Sequence, residues 1–285
     1  MDFPYLAIGA HGRTYAVKDA GDNAGIGLAV ARDGSLFAVS NAGTNMVTVY
    51  STVDGSETVS FGGHGDGPGQ FNEPLKLCAS PRDTLLVADF GNKRVQEVTF
   101  SGVHIRYISA DVFIGAEGIY GIACNDALIV VTKFGGATPN RVLLFNYSTG
   151  ELLRQFAALG SGDGQIGQHP TGVRFTLDNQ HIIVVDTWDN KRLSMFTVDG
   201  VFVKHVGVGV LSGNCDVDFT TDGRIIVADE HNHRVCIFAA DGVMTSSWGT
   251  EGTSDGQFEY PTALDVSGDK LFVLDRDSAR VQVFD

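Results

Sequence analysis

The chain has 285 residues, with 43% hydrophobic and 19% charged side chains, 36 glycines, 7 prolines and a formal net charge of −14. That composition excludes a disordered or collagen-like chain and describes a folded protein with many tight turns. The acidic balance argues against broad nucleic-acid binding, which needs Lys and Arg set against phosphate. No apolar run reaches bilayer length, and Met1-Asp2-Phe3-Pro4 lacks the pattern of a signal peptide. A complete chain of this kind is expected to be cytoplasmic, not inserted in a membrane, and monomeric as an isolated domain.

In chain order, Thr14–Lys18 (TYAVK) reads as an unpaired strand ahead of a series of repeats. The first repeat, Leu36–Gly55, is a weak copy, and the glycine-rich stretch Gly62–Pro74 (GGHGDGPGQFNEP) follows it. Leu85–Gly102 (LLVADFGNKRVQEVTFSG) is the first clear copy, and Leu128–Gly150 is again weak. After the loop Gly160–Pro170 comes an apolar strand at Val173–Phe175, and then the copies Ile182–Gly200 and Ile225–Gly242. The loop Gly249–Pro261 leads to the last copy, Leu271–Asp285.

Each copy has one grammar: a strand after the loop proline, a turn such as Asp222-Gly223, a VAD strand and an RVxxF strand. A fourth strand precedes the next loop, as at Phe202–Val206 and Thr245–Trp248. Ser40, Asp89, Thr132, Asp186, Asp229 and Asp275 hold equivalent places, at intervals of 49, 43, 54, 43 and 46 residues. Periods of about 40–50 residues belong to four-stranded propeller blades, so the six anchors predict an all-β, six-bladed propeller of four-stranded antiparallel blades over residues 1–285. The last copy stops after its third strand, and Thr14–Lys18 is expected to complete that blade and close the ring.

Cys78, Cys124, Cys215 and Cys236 form neither a CxxC pair nor a zinc-finger spacing. All four are expected to be buried thiols packing as small hydrophobes. Cys215 and Cys236 fall on strands separated by a third strand, about 9–10 Å apart and beyond disulfide reach.

The GDGQFxxP loop followed by VAD-x-x-N-x-RV closely resembles the NHL-repeat family, over nearly the whole chain. Asp89, Asn92 and Arg94 fit the pattern, as do Asp229, Asn232 and Arg234. Asp186, Asn190 and Arg192 fit with one inserted residue, and Asp275 and Arg280 fit with Ser278 in the Asn place. Ser40 and Thr132 replace Asp in repeats one and three, and Met46 stands where Arg is expected. A motif present in most blades is expected to be structural, with Asp accepting loop N–H groups and Arg making a charge-assisted contact.

Function is then sought in what does not repeat. Loops leaving the fourth strand, and those joining the second strand to the third, emerge on one face of a propeller. That face is expected to carry Phe90, Lys93, Phe134, Trp188, Lys191, His231, His233 and Arg276, residue types found in protein-recognition hot spots. Lys76, Arg174, Asp216, Asp218 and Asp265 are expected to line the channel, as ion pairs or solvated walls. The three carboxylates are the alternative, weaker set for Ca²⁺, without an Asp-x-Asp-x-Asp-Gly loop to support it. Peptide-amidating lyases, which share the repeats, carry zinc-binding histidines just after the loop proline. Here those places hold Leu75, Lys76, Thr171, Thr262 and Ala263.

The leading expectation is a non-enzymatic scaffold without a cofactor, recognising a protein or peptide on the loop face. The alternative is a divalent-metal-dependent, lactonase-like hydrolase or lyase at the channel, and an RNA-binding module ranks third.

Overall fold

The structure, a computed structural model, describes residues 11–17, 25–108, 113, 116–135, 140–213 and 215–285. After β1 (His11–Ala16), blade one holds β2 (Gly25–Val30), β3 (Leu36–Asn41), β4 (Met46–Ser51) and β5 (Glu57–Gly62). Blade two holds β6 (Pro74–Ala79), β7 (Thr84–Asp89), β8 (Arg94–Thr99) and β9 (His104–Ile108). Blade three holds β10 (Gly118–Cys124), β11 (Leu128–Phe134), β12 (Asn140–Asn146), β13 (Leu152–Leu159) and β14 (Gln165–Ile166). Blade four holds β15 (Val173–Phe175), β16 (His181–Asp186), β17 (Arg192–Thr197) and β18 (Phe202–Val206). Blade five holds β19 (Asp216–Phe219), β20 (Ile225–Asp229), β21 (Arg234–Phe238) and β22 (Met244–Trp248). Blade six holds β23 (Pro261–Ser267), β24 (Lys270–Asp275) and β25 (Arg280–Phe284). The first strands of successive blades lie side by side, and β23 returns to β2, which makes a six-bladed ring.

The middle strands read as unbroken apolar runs because both of their faces are buried. Side chains alternate along a strand, so each face seals a different junction. Leu85 and Val87 pack toward blade one, while Leu86 and Ala88 join the core shared with blade three. Between blades six and one the core is aromatic: Phe37 stacks on Tyr15 at 5.6 Å and on Tyr50 at 5.1 Å, with Phe272 at 6.1 Å.

Ring closure follows the sequence reading with a shift toward the N-terminus. β1 pairs antiparallel with β25, from His11 opposite Phe284 to Ala16 opposite Arg280, and so supplies the outer strand of blade six. The expected strand, Thr14–Lys18, therefore begins three residues earlier, and Lys18 lies outside the described residues. Blade three departs from the four-stranded expectation. Its crossover loop folds back so that Gln165 and Ile166 pair in parallel with Ala158 and Leu159. The loops before blades two and six make the same return as single bridges, His64 with Phe71 and Glu251 with Phe258.

Candidate functional site

The repeated Asp, Asn and Arg build the frame on which the loop face stands. Asp89 is fully buried; it accepts the Asn72 N–H at 2.7 Å, the Asn92 amide at 2.9 Å and Arg94 Nε at 2.7 Å. Arg94 also donates to the carbonyls of Asp66, Gly67 and Gln70. It thereby fastens the incoming glycine-rich loop to its own blade. Arg280 repeats this with Asp275, Ser254 and Gln257, and Arg234 with Asp229 and Val210. In blade four, burial pushes the Asp186 carboxyl up to about 6 against the pull of Asn190, the Gly167 N–H and Arg192.

Repeats one and three use their substituted anchors differently. Ser40 accepts the Gly27 N–H at 2.9 Å and donates to the Leu75 carbonyl of the next blade. Thr132 accepts the Gly121 N–H at 2.8 Å and faces the Thr171 carbonyl at 3.3 Å. A Cβ at Gly27 would lie 2.3 Å from the Leu75 oxygen, and one at Gly121 would lie 2.2 Å from that of Thr171. Glycine lets the neighbouring backbone approach, and the short hydroxyl ties the two blades together.

Turns between second and third strands need a left-handed residue just before the Arg position. Asn45, Lys93, Lys191, His233 and Ala279 all hold φ between 49° and 61° there. Each of the last four closes its turn with an N–H bond of 3.0–3.2 Å to the carbonyl three or four residues back. Lys93, Lys191 and His233 therefore have a backbone duty as well as exposed or half-buried side chains.

The expected face residues fall into two aromatic groups. Phe90 meets Phe134 edge to face at 5.5 Å, and Phe134 also touches Tyr120 at 5.9 Å and His169 at 4.8 Å. On the other side Trp188, 49% exposed, meets His231 at 5.6 Å. Tyr260 contacts His231 at 6.2 Å and His233 at 5.1 Å, with the Arg276 guanidinium 5.0 Å over its ring. Arg276 reaches the buried Glu230 carboxylate at 3.2 Å, and His231 stands 3.6 Å from the same group. The sequence reading missed Tyr120, Glu230 and Tyr260 and gave His169 no role on this face. His169 and Tyr260 each precede a loop proline, a spacing that marked their place.

The five expected channel residues form a cross-braced polar axis. Lys76 Nζ lies 3.0 Å from Asp216 and donates to the Thr262 carbonyl at 2.6 Å. Arg174 bridges Asp218 at 3.1 Å and Asp265 at 2.8 Å. Burial opposes the Arg174 charge, but these two carboxylates hold it above its ordinary value. The same carboxylates accept N–H groups of adjoining blades: Asp218 from Val266 at 2.9 Å and Asp265 from Val30 at 2.7 Å. Burial pushes the Asp265 carboxyl up to about 7; Arg174 opposes this shift and Asp218 adds to it. The space enclosed among Leu28, Lys76, Ile122, Arg174 and Asp216 is only about 10 Å³. Among the described residues no group of three or more His, Cys, Asp or Glu side chains is set to hold a metal ion.

One cysteine departs from the expected burial. Cys78, Cys215 and Cys236 are buried, but Cys124 is half-buried, because β10 ends there at the mouth of the channel. No helix among the described residues is long and apolar enough to cross a membrane.

The family model for the NHL repeat matches residues 71–97 and 216–238. No curated protein matches the chain by sequence. Among solved structures, hydrazine synthase of Kuenenia stuttgartiensis aligns with a TM-score of 0.65 at 13% identity, over 92% of this chain and 95% of that one. A catalytically inactive virginiamycin B lyase from Staphylococcus aureus, with quinupristin, aligns with a TM-score of 0.66 at 13% identity, over 95% and 98%. A streptogramin B lyase gives 0.65 at 12% identity, over 95% and 86%. At such identities the likeness is one of fold.

Proposed function

Because the chain is an NHL-repeat β-propeller, we propose that it is a non-enzymatic scaffold that binds a protein or peptide on its loop face. The observation that carries this reading is the half-exposed Trp188 set against His231, beside Tyr260 and Arg276, on loops fastened to the blades by Asp186 with Asn190, Asp229 with Arg234 and Asp275 with Arg280. Aromatic and Arg side chains on a fixed backbone give large contact area at little ordering cost, which is how recognition hot spots work. Phe90 and Phe134 supply a second apolar anchor on the same face. Against chemistry at the axis stands the engagement of Asp216, Asp218 and Asp265 by Lys76 and Arg174.

The test is a peptide-display selection against the purified chain, followed by affinity measurements on the selected peptides. Trp188→Ala and Phe90→Ala are expected to weaken binding tenfold or more with the ring still folded, the half-buried Phe90 costing about 1 kcal/mol of stability for its contact with Phe134. Peptides indifferent to both variants, or a metal-dependent ester or lactone turnover lost in Asp265→Asn, would reject the reading.

A further inference from the structure

Two of the four cysteines approach each other across a blade boundary. Cys78 on β6 and Cys124 at the end of β10 place their sulfurs 3.1 Å apart, although 46 residues separate them in the chain. Both sulfurs flank the Ala79 carbonyl, at 3.5 and 3.7 Å. Cys124 lines an open cavity of about 360 Å³ at the channel mouth, together with Arg174, Asp218 and Asp265. The pair is therefore reachable from solvent through one of its members.

The other two thiols are not placed for such chemistry. Cys215 and Cys236 are completely enclosed on either side of the Asp229 carboxylate, at 3.8 and 3.7 Å from its oxygens. Burial, reinforced by that charge, pushes Cys236 up to about 12 and Cys215 higher still. Cys78, in contrast, accepts the Cys124 S–H, which holds it below the ordinary thiol range despite its burial, and Arg174 adds to the effect. The same S–H bond, with burial, holds Cys124 well above the ordinary thiol range. Thiolate is the reactive form, so the pair shares one readily lost proton, whereas Cys215 and Cys236 are inert.

We propose that Cys78 and Cys124 are a reversible oxidation site, forming a disulfide between blades two and three by exchange with a low-molecular-weight disulfide. In the first step the pair loses a proton, the remaining proton passes from Cys124 to Cys78 across the 3.1 Å contact, and the Cys124 thiolate so formed attacks one sulfur of the small disulfide, expelling a small thiolate. In the second, the deprotonated Cys78 sulfur attacks Cys124 in that mixed disulfide and expels the second small thiolate. The protein loses two protons and two electrons, and the small disulfide is reduced to two thiols. The sulfurs must close from 3.1 Å to about 2.05 Å, a movement of roughly 1 Å. The product joins the first strands of two blades that otherwise meet through side-chain packing and hydrogen bonds.

The experiment uses the full chain in buffers of reduced and oxidised glutathione, quenched with acid, alkylated under denaturing conditions and mapped by mass spectrometry. Two thiols are expected to disappear together, with a mass loss of about 2 Da and a single cross-linked peptide pair containing Cys78 and Cys124. The oxidised chain should unfold on the order of 5–10 °C higher than the reduced one. Cys124→Ser should keep three alkylatable thiols and show no such shift. Four thiols persisting in the most oxidising buffer would overturn the proposal. So would a stable glutathione adduct of about 305 Da on Cys124, or a linkage that includes Cys215 or Cys236.

Discussion

The Lys76 ammonium lies 3.0 Å from the Asp216 carboxylate and so joins blade two to blade five, on opposite sides of the ring. Both side chains are largely withdrawn from water, at 5% and 13% exposure. Removing one member of such a pair leaves the other charge without compensation, at a cost of about 3–5 kcal/mol. Lys76→Met should lose stability on that scale in denaturant unfolding, and Lys76→Met with Asp216→Asn should recover most of the loss. A double variant as unstable as the sum of the two single ones would show that the contact across the axis contributes nothing.

Acidity provides a second test. The Asp265 carboxyl titrates at about 7 in the folded chain against 3.8 unfolded, so the fold favours its protonated form. Its contribution to stability is complete below about pH 4 and is lost as pH rises through about 7. The unfolding midpoint of the wild type should fall over that window, and Asp265→Asn, which cannot titrate, should flatten the fall. Asp186, at about 6, leaves a residual slope. An unchanged pH profile in Asp265→Asn would remove Asp265 from the account.

Ring closure predicts a graded response at Tyr15. Its ring stacks on Phe37, and its hydroxyl donates to the Thr52 carbonyl at 2.5 Å. Tyr15→Phe should cost about 1 kcal/mol for the lost hydrogen bond. Tyr15→Ala should cost about 3–5 kcal/mol for the emptied aromatic site. Equal midpoints for the alanine variant and the wild type would mean that β1 does not hold blade six.

The loop clamp can be probed at Arg94, whose Nε serves Asp89 while its two terminal nitrogens serve three loop carbonyls. Arg94→Ala leaves Asp89 charged and buried and should destabilise by about 3–5 kcal/mol. Arg94→Lys should recover little, because an ammonium cannot span that fork. Full rescue by lysine would reduce the clamp to a simple charge effect.

The repeats were legible because each blade states its grammar locally: a VAD strand, a left-handed turn residue and an RVxxF strand lie within about twenty residues of one another. Even the outer strand Phe202–Val206 agrees at both ends with the sequence reading. What joins one blade to another was much less legible. The sequence reading set Lys76 and Arg174 against Asp216, Asp218 and Asp265 as ion pairs, but which acid meets which base, such as Asp216 at 140 residues from Lys76, depends on where the ring carries each strand. Ser40 and Thr132 looked like decayed motif positions because the motif records only contacts within a blade and its loop. Their hydroxyls face the backbone of the next blade instead. The Cys78 and Cys124 approach escaped for the same reason, and so did the contacts of Tyr260 with His231 and His233 of blade five.

The pairing of β1 with β25 also sets a clock on biosynthesis. Every other sheet can assemble from strands that leave the ribosome close together, whereas Tyr15 must wait for Val281, the residue opposite it. At roughly 5–20 residues per second, that interval is on the order of ten to fifty seconds. For nearly all of it Phe37 lacks Phe272 and Tyr15 lacks the strand it pairs with, so the nascent chain displays a half-built aromatic seam until its last blade is made.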